Sequence, residues 1–262
     1  VVTNPSYGNL TLNSSGTFSY IHDGSETTID TFSYKTNDGT DDGNTITVTV
    51  TINNVAPVTV VDIITTGEGG TVTLTTSGSS TLLANDTDAG SDTLTAIGVS
   101  SPTNGTLTLN TNGTFSYVHN GSNTTTDTFS YKANDGTVDG NTVTITININ
   151  IAPETVSDTL IVNESGTVTL TSSASITLLD NDYDLNGDGL TAIGVSSPTN
   201  GTLTLNPNGT FSYVHDGSET TTDSFSYKAN DGTDDGNTVT ITITINPIND
   251  APISIGDILM GV

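Results

Sequence analysis

The chain has no cysteine and no tryptophan, and it carries three basic side chains against 29 acidic ones. Without cysteine there is no disulfide framework and no thiolate metal site, although a secreted location remains open. The basic residues are Lys35, Lys132 and Lys228, so no arginine can clamp a phosphate. A formal net charge of −26 over 262 residues excludes attraction to a nucleic-acid backbone.

Long hydrophobic runs are also missing, and hydrophobic residues make up only 32% of the chain. No run approaches the length needed to cross a membrane, so we expect no membrane insertion. The first residues, Val-Val-Thr-Asn-Pro, contain neither an initiator methionine nor a signal peptide. The sequence is therefore interpreted as an internal part of a longer protein.

The chain contains three copies of one segment: GNLTLNSSGTFSYIHDG, GTLTLNTNGTFSYVHNG and GTLTLNPNGTFSYVHDG. They place Phe18, Phe115 and Phe211 at a period of about 96 residues. Solenoid repeats are typically 20–50 residues long. Each copy is therefore predicted to belong to a domain with its own core.

Ala-Pro dipeptides mark the predicted domain boundaries, because each follows an Asn-rich stretch and proline cannot continue a central strand. They lie at 56–57, 152–153 and 251–252. The predicted domains are the C-terminal part of a first repeat (1–56), two complete repeats (57–152 and 153–251), and the start of a further repeat or a tail (252–262). A second phase stays open, with domains starting near Val2, Val99 and Val195.

Apolar residues alternate with Thr and Ser in segments such as GTLTL, GTFSYVH and NTVTITI. This period of two predicts strands that bury one face. Asn-Gly and Asp-Gly pairs between them suit tight hairpin turns, and no segment has a helical period. About seven such strands per repeat predict an all-β chain of tandem immunoglobulin-like antiparallel β-sandwiches.

An acidic residue stands four positions before a tyrosine in Asp127-x-Phe129-x-Tyr131 and in its two copies. One interpretation is a tyrosine corner, in which the tyrosine hydroxyl bonds to nearby backbone. The other is simply two core aromatics two residues apart. Both interpretations predict the same fold.

The succession from APETVSDTLIVNESGTVTL through LLDNDYDLNGDGLTA and NGTLTLNPNGTFSY to DSFSYKANDG and INPINDAP resembles the bacterial cadherin-like and VCBS-type repeats of giant secreted adhesins. The resemblance covers essentially the whole chain. It implies sandwich domains arranged as an elongated rod, secreted or displayed on a bacterial cell surface, often binding calcium and not known for catalysis.

Two acidic loops are the candidate metal sites, because an Asp-x-Asp-x3-Asp loop can gather the oxygen ligands that calcium needs. The alternative is that a loop rich in Asp and Gly is only a good turn. The predicted ligands are Asp86, Asp88 and Asp92 in one repeat and Asp182, Asp184 and Asp188 in the next.

The resemblance implies further calcium ligands from an early acidic residue and from the linker that ends a repeat. The early candidates are Glu68 and Glu164, with Asp62 and Asp158 upstream, and the linker candidates are Asn249 and Asp250. The first two linkers carry asparagines and no carboxylate, which weakens the prediction of calcium at those junctions.

Three further residues recur once per repeat, and each has an ordinary structural interpretation. The NDG aspartates are predicted to form turns rather than to bind metal, the histidines to pack in or near the core, and the lysines to pair with the acidic surface. They are Asp38, Asp135 and Asp231; His22, His119 and His215; and Lys35, Lys132 and Lys228.

The sequence thus predicts a non-catalytic structural and adhesive stalk segment of a bacterial surface or secreted adhesin, rigidified by calcium. Neighbouring repeats of the same chain are its expected partners. The alternatives are a module that binds a polysaccharide or another cell-surface ligand, and a subunit of a surface filament whose exposed sheet edges accept a strand.

Overall fold

A computed structural model describes residues 1–25, 27–90 and 92–249. The chain divides into two compact units, 1–149 and 150–262. Almost all regular structure is strand, and the helical content of the described residues is two short 3-10 turns, Leu82–Ala84 and Leu178–Asn181. None of the described residues forms an apolar helix of membrane-spanning length.

The first 56 residues contribute four strands to the first unit. These are β1 (Gly8–Leu12), β2 (Phe18–His22), β3 (Ile29–Tyr34) and β4 (Ile46–Thr51). They form two antiparallel pairs, β1 with β2 and β3 with β4. Phe18 is 55% exposed here, whereas its counterpart Phe115 in the second repeat is 4% exposed.

The rest of the first unit forms two sheets with the orders β5-β11-β10-β7 and β6-β9-β8. Its strands are β5 (Ile63–Gly67), β6 (Thr71–Val72), β7 (Thr95–Ser100), β8 (Gly105–Leu109), β9 (Phe115–His119), β10 (Thr126–Asn134) and β11 (Val143–Asn150). Burial alternates strictly along most of β11, as a strand with one buried face requires.

The second unit repeats this arrangement as β12-β18-β17-β14 and β13-β16-β15. Its strands are β12 (Thr159–Asn163), β13 (Thr167–Val168), β14 (Thr191–Ser196), β15 (Gly201–Leu205), β16 (Phe211–His215), β17 (Thr222–Asn230) and β18 (Val239–Asn246). Both sheets contribute to one buried cluster, which includes Leu160, Phe225 and Ile243 from the larger sheet and Tyr213 from the smaller one. The unit is therefore a β-sandwich.

The predicted fold class is confirmed, with one addition. The hairpin pairs are antiparallel, but β12 and β18 pair in parallel over five residues, from Thr159–Thr242 to Asn163–Asn246. They are the first and last strands among the described residues of the second unit. The predicted boundaries at 56–57 and 152–153 remain predictions, and residues 252–262 lie outside the described residues.

Glycines support the predicted hairpins for two different reasons. Gly113 has φ +80°, the left-handed conformation that a tight Asn-Gly turn uses. Gly105 begins β8, and a Cβ there would collide with the ring of Tyr117. The recurrent GTL and NGT strings therefore reflect turn geometry and the close packing of a buried tyrosine.

The tyrosine-corner interpretation of Asp127-x-Phe129-x-Tyr131 is wrong, because the Tyr131 hydroxyl does not bond to backbone that is near it in sequence. Tyr131 donates its hydroxyl hydrogen bond to the carbonyl of Leu82 at 2.9 Å, far from it in sequence. Asp127 instead accepts the hydroxyl of Tyr117, at 2.9 Å, from the other sheet. The same contact joins Asp223 to Tyr213 in the second unit.

Candidate metal centre

The acidic loop of the second repeat follows directly from a capped 3-10 turn. The side chain of Thr81 accepts the backbone N–H of Leu83 at 3.2 Å, and Leu82 is fully buried. Ser, Thr, Asp and Asn are preferred at such N-terminal caps because they satisfy an otherwise free N–H. The turn ends at Asn85, so the acidic loop starts from a position that the buried Leu82 fixes on the core.

Asp88, Asp92 and Asp135 form a compact group, in which one carboxylate oxygen from each lies within 4.8 Å of the others. We call this group the outer cluster. Asp88 closes the loop, since its Oδ1 accepts the N–H of Gly90 at 2.7 Å. Its Oδ2 is buried and accepts no hydrogen bond. The cluster therefore holds a carboxylate oxygen that lacks a donor.

Asp135 reaches the outer cluster from the NDG turn that follows β10. Its Oδ1 accepts the N–H groups of Thr137 and Val138 at 2.8 and 2.7 Å, and its Oδ2 accepts Nδ2 of the linker residue Asn54 at 2.8 Å. Burial alone would raise the pKa of Asp135, but these hydrogen bonds lower it to about 2. Asp135 is therefore ionised at physiological pH.

The outer cluster lies beside the predicted junction between the first two repeats. A cavity of about 230 Å³ beside it is lined by residues of the first repeat, by Asn54 and Val55 of the linker, and by Gly90 and Asp92 of the loop. Lys132, the lysine of this repeat, pairs with Asp139. Among the described residues the other two lysines also pair with aspartates outside the cluster, so the three carboxylates have no lysine to balance them.

Asp86, although predicted with Asp88 and Asp92, is not a member of the outer cluster. Its Oδ1 accepts the N–H of Val60 at 2.7 Å, and its Oδ2 accepts the Tyr131 hydroxyl at 3.1 Å. Burial raises its pKa despite these hydrogen bonds. We call Asp62 and Asp86 the inner pair, because Asn85, the residue before Asp86, donates from Nδ2 to Asp62 Oδ1 at 3.4 Å.

The third repeat keeps the same division between inner and outer aspartates. Asp182 accepts the Val156 N–H at 2.7 Å and the Tyr227 hydroxyl at 3.0 Å, as Asp86 does in the second repeat. The Oδ2 of Asp184 is buried without a donor. Within the described ranges, however, the counterparts of the outer cluster do not bring three carboxylate oxygens within 4.8 Å of one another; they are Asp184, Asp188 and Asp231.

A linker asparagine contacts the NDG turn in the second unit as well. Asn150 donates from Nδ2 to Asp231 at 2.9 Å and to Asp234 at 2.8 Å. The backbone N–H of Ile151 is accepted by the side chain of Asn186 at 2.9 Å. The asparagines that stand in place of linker carboxylates thus bind the acidic turn directly.

The early glutamates differ from each other. Glu164 is 5% exposed, and its carboxylate accepts the N–H of Ile248 at 3.0 Å, just before the predicted linker ligand Asn249. Glu68 is exposed. Asp250 lies outside the described residues.

The prediction for the NDG aspartates is incomplete rather than wrong. Asp135 forms its turn as predicted, but it is also part of the outer cluster. Sequence offered one signal, the recurrence of this aspartate in every repeat. The decisive fact is the pairing of Asn134 with Thr95 between β10 and β7, which brings the NDG turn to the end of the acidic loop.

The histidines and lysines have the structural roles that the sequence predicted. His119 is 3% exposed; its Nδ1 accepts the N–H of Gly69 at 3.1 Å, which leaves Nε2 to donate to Thr124 at 3.1 Å. Each lysine pairs with an aspartate seven residues later. These pairs are Lys35–Asp42, Lys132–Asp139 and Lys228–Asp235.

A family model described as "Bacterial cadherin-like domain" matches residues 54–151 and 150–247. The chain belongs to this family. The two matches are consecutive, so cadherin-like repeats occur in tandem, and cadherin-like domains are associated with adhesive or structural roles. No curated protein matches the chain.

Solved structures similar to this chain include cadherin ectodomains and an enzyme. The human desmocollin-1 ectodomain aligns with 14% identity and a TM-score of 0.47, over 90% of this chain and 51% of that chain. Mouse cadherin-23 EC22-24 aligns with 15% identity and a TM-score of 0.39, over 92% and 83%. An endo-fucoidan hydrolase of glycoside hydrolase family 107 aligns with 18% identity and a TM-score of 0.27, over 94% and 38%.

Proposed function

We propose that the chain is a non-catalytic structural and adhesive segment of a secreted or cell-surface bacterial protein. Residues 57–152 and 153–251 are its complete domains, and neighbouring repeats are their first partners. Calcium bound at the outer cluster rigidifies the junction between the first two repeats.

The observation that carries this proposal is the uncompensated charge of the outer cluster. Asp88, Asp92 and Asp135 lie within 4.8 Å of one another, and Asp88 Oδ2 is buried without a donor. Like charges at such distances repel by on the order of 1 kcal/mol per pair even at the dielectric constant of water. A divalent cation removes this repulsion.

The residues present suit calcium in particular. It prefers six to eight oxygen ligands and accepts flexible geometry, and all three side chains offer carboxylate oxygens. Extracellular modules bind calcium with dissociation constants of about 10⁻⁴ to 10⁻³ M. Such a site is filled outside a cell and empty in the cytosol.

The contact of Asn54 with Asp135 connects this site to the linker. Its Nδ2 donates to Asp135 Oδ2, so a cation that fixes Asp135 also fixes the segment joining the repeats. This link supports a mechanical role for the cation rather than a catalytic one. His119 is buried and both of its ring nitrogens are hydrogen-bonded, so it is poorly placed to act as a general base.

The test is a calcium titration of the full chain and of Asp92→Asn, by isothermal titration calorimetry and thermal melting. A hundredfold excess of calcium over the dissociation constant stabilises the binding state by about 2.7 kcal/mol. We expect Asp92→Asn to lose one calcium ion per chain, together with the corresponding rise in melting temperature.

Asp139→Asn is the matched control, because Asp139 is acidic, belongs to the same repeat and pairs with Lys132. It should bind as much calcium as the parent chain. Small-angle scattering with calcium and with EGTA tests rigidification separately. If neither the melting temperature nor the maximum dimension changes, the aspartates are solvated turns and the proposal is wrong.

A further inference from the structure

The inner pair contains a buried carboxylate oxygen that no protein donor satisfies. Asp62 is 7% exposed, and its Oδ2 is buried without a hydrogen-bond partner. Its Oδ1 accepts Nδ2 of Asn85 over a long 3.4 Å. Buried polar atoms are almost always hydrogen-bonded, so this oxygen requires a physical explanation.

The surroundings of Asp62 have more acceptors than donors. The Tyr131 hydroxyl lies 2.9 Å from the Leu82 carbonyl, 3.1 Å from Asp86 Oδ2 and 3.5 Å from the Val60 carbonyl. One hydroxyl proton cannot satisfy three acceptors. The Asp62 carboxylate is tied to the same loop, because its Oδ1 accepts Nδ2 of Asn85, the residue before Asp86.

No positive side chain balances this pair among the described residues. The lysine of the repeat, Lys132, is engaged with Asp139. Two carboxylates that are both removed from water cost free energy unless they gain a counter-ion. The neutralising charge must therefore be a proton or a cation bound from solution.

The same arrangement recurs in the third repeat, so it is a property of the repeat and not of one loop. The Oδ2 of Asp158 is buried and unpartnered. The Tyr227 hydroxyl lies 2.9 Å from the Leu178 carbonyl, 3.0 Å from Asp182 Oδ2 and 3.4 Å from the Val156 carbonyl. Each complete repeat thus has a group of oxygen atoms gathered around one tyrosine hydroxyl.

We propose that each inner pair, Asp62 with Asp86 and Asp158 with Asp182, holds a divalent cation between the first strand region and the acidic loop of its own repeat. Carboxylate and carbonyl oxygens are the ligands that calcium prefers. This cation joins the two segments within one domain, whereas the outer cluster acts at a junction. The proposal does not depend on calcium binding at the outer cluster.

The experiment uses the full chain, with Ca²⁺ in calorimetry and Tb³⁺ in luminescence. The chain has no tryptophan, so sensitised terbium emission reports on nearby tyrosines, and Tyr131 and Tyr227 contact the inner pairs. We expect Asp62→Asn combined with Asp158→Asn to lose two calcium ions per chain and most of the sensitised emission.

Asp92→Asn combined with Asp188→Asn is the matched control, since it changes the outer loop positions and leaves both inner pairs intact. It should keep the sensitised emission. An unchanged calcium stoichiometry and unchanged emission in the inner-pair variant would overturn the proposal. In that case a proton shared by the two carboxylates, and not a metal ion, would neutralise the pair. Loss of calcium only in the outer variant would likewise exclude an inner site.

A measurement on the unmodified chain covers the case in which the inner-pair variant does not fold. Crystals soaked with Tb³⁺ should give an anomalous difference peak within bonding distance of Asp62 Oδ2 and of Asp158 Oδ2. Peaks confined to the outer aspartates would reject the proposal.

Discussion

Asp127 and Asp62 belong to the same repeat and are almost equally buried, at 5% and 7% exposed, yet their surroundings are opposite. Asp127 accepts the N–H groups of Thr103, Asn104 and Thr128 and the hydroxyl of Tyr117. Asp62 accepts one long hydrogen bond. Burial alone therefore does not define the role of a carboxylate; the number of donors around it does.

The difference is visible in the direction of each pKa shift. Burial and the charge of Asp86 raise the pKa of Asp62 to about 6. Burial would also raise the pKa of Asp127, but its hydrogen bonds outweigh burial and lower it. Asp127 is a structural anion that is stabilised by the fold, whereas Asp62 is an anion that destabilises the fold unless something neutralises it.

The largest predicted effect follows from removing the satisfied carboxylate. Asp127→Ala leaves three N–H groups and the Tyr117 hydroxyl without their acceptor, and each unsatisfied buried group costs about 1–3 kcal/mol. We expect the first unit to lose about 3 kcal/mol or more of unfolding free energy in urea denaturation. Asp139→Ala, which breaks an exposed ion pair, should cost only about 0.5 kcal/mol.

The pH dependence of stability should have opposite signs for the two kinds of aspartate. Because the pKa of Asp62 and of Asp158 is raised to about 6 in the folded chain, the folded state binds protons more tightly. Without metal ions, stability should therefore increase as pH falls from 7 towards 4, by roughly 1–2 kcal/mol per pair.

Below about pH 4 the sign reverses, because the lowered pKa of Asp127 and of Asp135 makes the folded state lose stability as these groups are protonated. Thermal melting in EGTA across this range checks both parts. Asp62→Asn combined with Asp158→Asn should reduce the rise above pH 4 and keep the fall below it, because Asp86 and Asp182, whose pKa is also raised by burial, still contribute to the rise. A rise of unchanged size in this variant would show that other groups cause it.

The smallest predicted effect concerns the tyrosine that donates to Asp127. Tyr117→Phe removes one of four donors, so we expect a loss of about 1 kcal/mol and a smaller downward shift in the pKa of Asp127. Acid unfolding should then begin at higher pH. If Tyr117→Phe lowers the unfolding free energy as much as Asp127→Ala does, the four donors do not each contribute a part of the stabilisation of the Asp127 carboxylate.

The strands of this chain could be predicted because alternation, Asn-Gly turns and the 96-residue repeat all depend on neighbours in sequence. The partners of Asp127 could not, because its contact with Tyr117 crosses between two sheets and no periodicity encodes how sheets face each other. A pattern within one strand suggested Tyr131 instead. The hydroxyl of that residue reaches the 3-10 turn.

The candidate site shows the same limit. The acidic loop was recognisable from its spacing, but spacing could not show that Asp86 lies with Asp62 while Asp88 and Asp92 lie with Asp135. That division depends on Tyr131 meeting Asp86 and on the register of β10 with β7. Local pattern located the loop, and tertiary pairing divided its ligands.

The parallel pairing of β12 with β18 has a mechanical consequence. Because these first and last strands of a repeat run in the same direction over five residue pairs, the chain enters the sheet at one end and leaves it at the other. Tension applied through the two ends therefore loads this strand pair in shear. Its hydrogen bonds resist together rather than opening one after another as in a hairpin pulled apart at its ends.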